Sequence, residues 1–339
     1  MRRRWLAPLT PLYAAGLALR NRRIENGSEP VRRLRFPVVS IGNLSTGGSG
    51  KTPLTIALAQ ALAKRGLHVD VLSRGYGRKS KLTARVNPDG TAEDYGDEPL
   101  LIARETGLPV YVAPQRYDAG LLAETDVQSI SEQNHQPIVH LLDDGFQHRQ
   151  LYRDVDILLL NRQDLTGHLL PAGNLREPLS ALRRATVLAV PADEAEVEQY
   201  LRKIIPIDQG TEQPRCVDPV WRLRRTMEIP AVSDPVAAFC GIARPEQFFA
   251  GLEAAGLRIA ARTAFPDHHR YTARDLDRLI TAARAAGATM LLTTEKDLVR
   301  LGSLASAFPE SLPLKTARLR VEIEDQKAAI DWLINRLGL

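Results

Sequence analysis

The stretch STGGSGKTP, residues 45–53, is a glycine-rich loop of the kind that binds phosphate. A predicted strand precedes it and a predicted helix follows, so the N–H groups of the loop would point at phosphate oxygens from the helix N-terminus. Lys51 would reach the outer phosphates, and the Thr52 hydroxyl would bind Mg²⁺. Ser45 departs from the general pattern, which has its first glycine at this position. The residues predicted to bind the nucleotide are Thr46, Gly47, Gly48, Ser49, Gly50, Lys51, Thr52 and Pro53.

Two adjacent carboxylates, Asp143 and Asp144, follow the apolar run IVHLL, which predicts a buried strand. A P-loop enzyme needs a carboxylate at the end of a neighbouring strand to hold Mg²⁺ directly or through water. Burying carboxylates at the end of an apolar run also costs free energy unless a cation or a hydrogen-bond donor contacts them. Both aspartates are therefore predicted metal residues, and the sequence leaves open which of them contacts the metal directly.

Two further segments contain groups that could activate an acceptor. YGDEP contains Asp97 and Glu98, and PDHHRY contains His268 and His269. A carboxylate that orients an imidazole is a common arrangement for removing a proton from a hydroxyl. Taken alone, each pair is more often a solvated loop than a site.

The elements that must position these residues follow an alternating pattern. Short β-branched runs alternate with helical stretches, which predicts a doubly wound P-loop architecture in which a mostly parallel sheet has helices on both faces. The predicted strands are 37–43, 67–73, 108–113, 137–144, 154–160 and 185–190, and the helix after the phosphate loop is 51–66.

A second series of elements begins near Pro230, and we expect it to form its own sheet in a second, smaller α/β domain. Its strands are predicted at 235–242, 257–263 and 288–294, with helices at 244–256 and 272–286. Prolines 214, 219, 230 and 235 precede or punctuate its start. The predicted division is an N-terminal helix (1–30), a P-loop kinase domain (31–222) and a smaller domain (223–339). The prediction allows the C-terminal helix to pack back on the kinase domain. The cleft between the two domains is the expected active site.

Composition places the chain among globular proteins. Of its 339 residues, 44% are apolar and 25% are charged, which excludes a disordered or fibrous protein. Cys216 and Cys240 have neither metal-ligand spacing nor the density of a disulfide scaffold. We therefore expect ordinary thiols and a catalytic body in the cytosol.

Positive charge is concentrated at the N-terminus. Residues 1–35 contain nine arginines and two glutamates, a net charge of +7, and because the whole chain carries +5 the remainder carries −2. A basic end on a slightly acidic body predicts docking by the N-terminus and argues against nucleic acid as a partner.

The uncharged stretch WLAPLTPLYAAGLAL, residues 5–19, lies between arginine clusters. It is shorter than the roughly 20 apolar residues that a spanning helix needs. Arginines also follow it where a signal peptide would have its cleavage site. We predict a short helix in the membrane interface, with Trp5 and Tyr13 near the headgroups and arginines on anionic lipid. A helix that covers the soluble body is the alternative.

Several segments together resemble one family. They are VVSIGNLSTGGSGKTP, LSRGYGR, GDEP, DDGFQHRQL, PAGNLREPL, FPDHH and TTEKDLVRL, in order from residue 38 to 301. In these the chain is similar to the tetraacyldisaccharide 4'-kinase (lipid A 4'-kinase) family. The resemblance implies ATP-dependent, Mg²⁺-assisted transfer of phosphate to the 4'-hydroxyl of a tetraacyldisaccharide 1-phosphate, in the biosynthesis of lipid A and lipopolysaccharide. It also implies work at the cytoplasmic face of the bacterial inner membrane, without nucleic acid or an obligatory protein partner.

The resemblance also implies roles for individual residues. Asp97 and His268 match the family's base-activating pair, and His269 falls outside that role. Lys51 acts on the transferred phosphoryl group, and Thr52, Asp143 and Asp144 belong to nucleotide and metal. The weaker candidates are Glu98 and Glu177 for the metal, and Arg74, Arg116 and Arg176 for phosphate on ATP or on the acceptor.

Two other functions remain open from the sequence. One is a soluble P-loop kinase of a small metabolite, for which the N-terminal helix would serve only packing. The other is a membrane-associated regulatory P-loop ATPase that transfers no phosphate to a substrate. Many ATPases of that kind carry an additional lysine near the start of the loop, where this chain has Thr46.

Overall fold

The computed structural model describes residues 4–134, 136–204, 219–232 and 235–339, which contain twelve strands and eleven α-helices. The strands are β1 (Val38–Asn43), β2 (His68–Ser73), β3 (Ala84–Arg85), β4 (Val110–Val112), β5 (Ile138–Asp143), β6 (Val155–Leu159), β7 (Val187–Pro191), β8 (Val220–Glu228), β9 (Val236–Cys240), β10 (Ile259–Ala264), β11 (Met290–Thr294) and β12 (Leu314–Ile323). The helices are α1 (Thr10–Glu25), α2 (Lys51–Lys64), α3 (Ala92–Tyr95), α4 (Asp97–Thr106), α5 (Arg116–Asn134), α6 (Arg162–Leu165), α7 (Ala195–Ile204), α8 (Pro245–Ala254), α9 (Ala273–Ala285), α10 (Glu295–Leu301) and α11 (Gln326–Leu337).

The strands lie side by side in the order β10-β9-β11-β12-β8-β7-β6-β1-β5-β2-β4-β3. Neighbouring strands are parallel except in two pairs, β12 with β8 and β3 with β4. Helices connect most of the consecutive parallel strands, as in α/β folds generally. The predicted α/β class with a mostly parallel sheet is confirmed.

The second series of strands does not form a sheet of its own, contrary to expectation. Strand β12 is ten residues long and has two partners along its length. Its first part, Leu314 to Ala317, pairs with β11, and its remainder, Arg318 to Ile323, pairs with β8. One long strand therefore joins the two series of parallel strands edge to edge.

The predicted division between residues 222 and 223 falls inside strand β8. The prolines around β8 suggested a domain boundary, but Trp221 and Leu223 alternate with exposed arginines and pack into the core. Such alternation is the pattern of a half-buried strand. Residues 205–218, with Cys216 and Pro214, lie outside the described chain. Cys240 is a buried free thiol at the end of β9.

Helix α2 is the centre of the largest core cluster. Its side chains Leu54, Leu58 and Leu62 are fully buried and pack with residues of β1, β2 and β5. Ile330 and Leu333 of the C-terminal helix α11 belong to the same cluster. The last helix of the chain therefore packs on the part of the sheet that carries the phosphate loop.

The predicted N-terminal helix is present as a 3-10 turn from Arg4 to Leu9 followed by α1. It is tied to the body by Tyr13, whose hydroxyl donates to the carbonyl of Arg176 over 2.8 Å. Its apolar side chains Trp5 and Leu12 are 79% and 74% exposed. No helix within the described ranges combines the length and the apolarity needed to cross a bilayer.

Candidate active site

The phosphate loop joins the end of β1 to the start of α2, as predicted. Gly50, the residue before the helix, has φ +91°, a conformation that favours glycine. Lys51 Nζ donates to Asn43 Oδ1 over 2.9 Å and lies 3.5 Å from Asp144 Oδ1. The ammonium group is thus held beside the loop and next to the predicted metal residues.

Residues of β8 and of the second strand series touch this loop. Gly47 has φ +78°, and a Cβ atom at this position would lie 2.7 Å from Cβ of Ala243. Arg225 of β8 donates to the carbonyl of Ser49 over 3.0 Å, and the side chain of Arg244 lies against Gly48. The sequence patterns did not single out these two arginines, because nothing local connects them with a loop that lies about two hundred residues earlier.

The two aspartates reach the loop because β5 is the neighbour of β1, with Asp143 in register with Ile41. Asp143 is 2% exposed and accepts a hydrogen bond from Thr55 Oγ1 over 3.0 Å. Burial, reinforced by the nearby carboxylates Glu98 and Asp144, raises the pKa of Asp143 above its usual range. A buried carboxylate with neighbouring negative charges favours a cation as its partner.

Asp144 has a different environment. It adopts the left-handed conformation with φ +49° and accepts from Arg176 Nη1 over 2.8 Å. Although burial opposes ionisation, Lys51 and Arg176 lower the pKa of Asp144. Arg176 therefore lies with the site, as predicted, through its contact with Asp144.

The oxygen donors fit Mg²⁺. Thr52 and Asp143 are buried next to the phosphate loop, and Asp144 and Glu98 line the same cleft. Among the described side chains, no group of three or more His, Cys, Asp or Glu residues is arranged as a ready-made metal cluster. Mg²⁺ commonly takes one or two carboxylates and completes its coordination with substrate phosphates and water, so this donor set suffices.

Glu177 does not lie with the predicted metal residues. It is 1% exposed, its carboxylate pairs with Arg184, and it does not line the cleft. The segment PAGNLREPL that suggested it contributes Arg176 to the site instead. In this segment Arg176 faces the cleft, whereas Glu177 is buried.

Asp97 and His268 are in contact. Asp97 opens α4 after Gly96, whose φ of +92° separates α4 from α3. His268 Nδ1 lies 3.0 Å from Asp97 Oδ2, and this hydrogen bond raises the pKa of His268. His269 points elsewhere and pairs with Asp275 over 3.2 Å. The carboxylate and imidazole thus have the arrangement of an acid–base pair.

Helix α10 supplies two residues to which the sequence assigned no role. Lys296 Nζ donates to Glu98 Oε1 over 2.6 Å, and Arg300 pairs with Asp97. Lys296 lowers the pKa of Glu98, against the effect of burial. The sequence did contain one signal for these residues. Lys296 and Arg300 are four residues apart in TTEKDLVRL, a spacing that puts both cations on one side of a helix.

Most of these residues line one cleft of about 1080 Å³, which is large enough for a nucleotide and part of a second ligand, and Asp97 and Arg300 reach it through their contacts with His268. One side of its wall is rich in cations and includes Arg20, Arg74, Arg116 and Arg176. The buried Nε atom of Arg116 has no hydrogen-bond partner in the described chain. Burial lowers the pKa of this guanidinium to about 10, against the opposing effect of Asp144. A buried guanidinium with an N–H that has no acceptor is typical of an anion site that a ligand completes.

Comparison with known proteins assigns the chain to a family. The sequence model of the family described as tetraacyldisaccharide-1-P 4'-kinase (LpxK) matches residues 2–338. The chain belongs to this family. Among relatives named tetraacyldisaccharide 4'-kinase, the protein of Koribacter versatilis (strain Ellin345) is 41% identical over 96% of this chain and 97% of its own length. The protein of Anaeromyxobacter dehalogenans (strain 2CP-C) is 42% identical over 88% of this chain and 82% of its own.

A solved structure of a family member resembles the whole fold. The crystal structure described as the "apo" form of LpxK from Aquifex aeolicus in complex with ATP is 33% identical, covers 100% of both chains and has a TM-score of 0.72. The similarity to the tetraacyldisaccharide 4'-kinase family inferred from the sequence is confirmed. The two series of strands joined by β12 therefore represent a fold that a LpxK protein also has.

Proposed function

We propose that this protein is a tetraacyldisaccharide 4'-kinase, which transfers the γ-phosphoryl group of ATP to the 4'-hydroxyl of a tetraacyldisaccharide 1-phosphate in lipid A biosynthesis. The observation that carries the proposal is that the Asp97–His268 pair and the phosphate loop with Lys51 line or adjoin one cleft. A nucleotide-dependent switch needs only the phosphate loop, whereas an enzyme that phosphorylates a hydroxyl group also needs the Asp97–His268 pair.

On the nucleotide side, the loop residues 46–53 hold the phosphates of ATP through their N–H groups. Thr52, Asp143 and Asp144 would hold Mg²⁺, with Glu98 nearby, and the bound ion would neutralise negative charge on the phosphates. Lys51, fixed by Asn43, stabilises charge on the γ-phosphoryl group. Met227 lies two residues from Arg225 on the same side of β8 and lines the cleft together with Phe248. We therefore place the adenine base of ATP beside these two side chains.

On the acceptor side, His268 removes the proton of the 4'-hydroxyl. Its Nδ1 donates to Asp97, so Nε2 is the nitrogen that accepts the proton. Asp97 holds the ring in this tautomer and stabilises the imidazolium that forms. Arg74, Arg116 and Arg176 form the cationic wall that receives phosphate on ATP or on the acceptor.

We further propose that the enzyme meets its lipid at the cytoplasmic face of the inner membrane through its N-terminus. The exposed side chains of Trp5 and Leu12 enter the interface, and the basic N-terminal segment meets anionic headgroups. Arg20 supports this arrangement because it lines the cleft and donates to the carbonyl of Gln147. The helix thereby leads from the membrane to the acceptor side of the site. We retain residues 31–222 and 223–339 as the proposed kinase and smaller domains, with strand β8 shared between them.

The experiment is a transfer assay with purified protein, labelled ATP and a tetraacyldisaccharide 1-phosphate in detergent and in vesicles. We expect a labelled lipid bisphosphate that depends on Mg²⁺. Hydrolysis of ATP without a labelled lipid would contradict the proposal and favour a regulatory ATPase. Transfer to a water-soluble sugar that persists when residues 4–25 are deleted would favour a metabolite kinase.

A further inference from the structure

Arg300 lies at the C-terminal end of α10 and touches both sides of the Asp97–His268 pair. We propose that Arg300, anchored by Asp297, is the positioning residue that holds this pair in its working geometry. The inference rests on the proposed function, because it assigns a role within the same site. The geometry that supports it consists of three contacts, with Asp97, with Asp297 and with the backbone at Gly241.

The first contact is with Asp97. Arg300 Nε and Nη2 both donate to Oδ2 of Asp97, over 2.7 and 2.5 Å. Each side chain is 6% exposed, so this ion pair is almost dry. The same oxygen accepts from His268 Nδ1, and Arg300 Nη2 lies 3.4 Å from that nitrogen, so the guanidinium and the imidazole share one carboxylate oxygen side by side.

The second contact fixes Arg300 itself. Its Nη1 donates to Oδ1 of Asp297 over 3.1 Å, and Asp297 is fully buried. Tyr271 and Thr294 also donate to this carboxylate, over 3.0 and 2.6 Å. Every oxygen of Asp297 is therefore engaged, and the guanidinium has little freedom to rotate.

The third contact reaches the backbone of the histidine. Gly241 donates its N–H to Asp297 over 3.1 Å, and its carbonyl accepts from Arg300 Nη1. The same carbonyl accepts from the N–H of His268 over 3.2 Å. One guanidinium thus ties the loop of His268 to the helix that begins with Asp97, although these belong to different strand series.

A planar fork with donors on both edges is required for this bridge, and a lysine cannot replace it. The cation also acts on His268 by charge. The groups around the imidazole are Asp97, Asp267 and Arg300, with the ring of Tyr76 at 5.2 Å. Because Arg300 shares the carboxylate with His268, it limits how firmly Asp97 holds a proton on the imidazole.

The test uses the full chain with Arg300→Gln and Arg300→Lys, and Arg262→Gln as the control. Arg262 is an exposed arginine of the same strand series that pairs with Glu253. We expect Arg300→Gln to lower kcat for lipid phosphorylation about 10- to 100-fold while the KM for ATP changes less than about threefold. Without the competing cation, the acid limb of the kcat profile should move about 0.5–1 pH unit upward. Arg300→Lys should keep the acid limb in place and still lower kcat, and the control should change neither the acid limb nor kcat.

A double-mutant cycle with His268→Ala separates the proposal from a structural role. If Arg300 acts through the pair, Arg300→Gln should reduce the residual rate of the His268→Ala protein less than about threefold. Equal losses of kcat in the two backgrounds would overturn the proposal. So would an unmoved acid limb in Arg300→Gln, or loss of the cooperative unfolding transition in both Arg300 variants. Failure of the unaltered protein to phosphorylate the lipid would instead count against the proposed function.

Discussion

His268 Nδ1 lies 3.0 Å from Asp97 Oδ2, although 171 residues separate the two in the chain. The contact joins the first helix turn of α4 to a loop that follows β10. Asp97 belongs to the strand series that carries the phosphate loop, and His268 belongs to the other. The pair therefore exists only where the two series meet, and several of the expectations below follow from that.

Removing the imidazole should impair the chemical step. We expect His268→Ala to lower kcat about 10²- to 10⁴-fold, because general-base catalysis contributes about that much, and to leave the affinity for ATP within about threefold. Because Asp97 raises the pKa of His268, the acid limb of the wild-type kcat profile should lie above pH 6.5. His269→Asn is the matched control, since His269 pairs with Asp275. Normal turnover of His268→Ala across pH would refute the assignment.

Arg116 should be stabilising only when a ligand is bound. Its buried Nε has no partner within the described chain, so Arg116→Met should raise the melting temperature of the ligand-free protein. The same change should raise the KM of the ligand whose phosphate it meets about 10- to 100-fold. Separate titrations of ATP and of the lipid decide which ligand that is. Arg162→Met, at an exposed arginine paired with Glu196, should change neither quantity. Unchanged KM values for both ligands in Arg116→Met would remove this residue from the site.

The exposed apolar side chains of the N-terminus should govern membrane binding. Trp5→Ala combined with Leu12→Ala removes two side chains that are 79% and 74% exposed. If they enter the interface, co-sedimentation with anionic vesicles should weaken about tenfold or more, and binding should fall further as salt is raised. Leu82→Ala removes a leucine that is 77% exposed elsewhere and serves as the control. Equal sedimentation of both variants would favour a helix that serves only to cover the body.

His140 should make stability depend on pH. It is fully buried, with Nδ1 2.8 Å from Asp70 and Nε2 3.6 Å from Glu124. Burial opposes its protonation, but these carboxylates raise the pKa of His140 to about 9. A raised histidine pKa stabilises the fold fully below about pH 6.5 and progressively less as pH rises through about 9.

Denaturant unfolding at pH 6 and pH 9.5 tests this dependence. The free energy of unfolding should be roughly 1–3 kcal/mol larger at pH 6 through this group, and His140→Gln should remove that difference. His168→Gln, at an exposed histidine, should retain it. A His140→Gln protein that keeps the full difference would contradict the assignment of charge to this imidazole.

Much of the site was predictable because its parts are local. The phosphate loop, Lys51 and Thr52 follow from a glycine-rich turn between a strand and a helix. The aspartates were expected beside it because parallel strands end at one edge of a sheet, and the register of Asp143 with Ile41 agrees. The strands of the first series lie within a few residues of their predicted bounds, because buried β-branched runs are strong signals.

The errors have equally physical causes. Strand β8 was missed because the flanking prolines indicated a domain boundary, although the alternation of its arginines with buried side chains is a strand pattern. The separate second sheet was wrong because β12 changes partners half-way along its length, which no local pattern encodes. Glu177 was placed with the metal by a motif that does not specify the side to which each residue points.

The sequence by itself determined the phosphate loop, the basic N-terminus, the α/β class and the family, because each depends on residues that are close in the chain or on ordered motifs. Only the tertiary structure decided that Arg300 bridges Asp97 to the backbone of His268, that Arg225 and Arg244 border the phosphate loop, and that Arg116 is buried without a partner for its Nε. Contacts of this kind depend on how the two strand series meet across β12 and β8. That arrangement is set by the packing of the whole sheet and leaves no periodic trace in the chain.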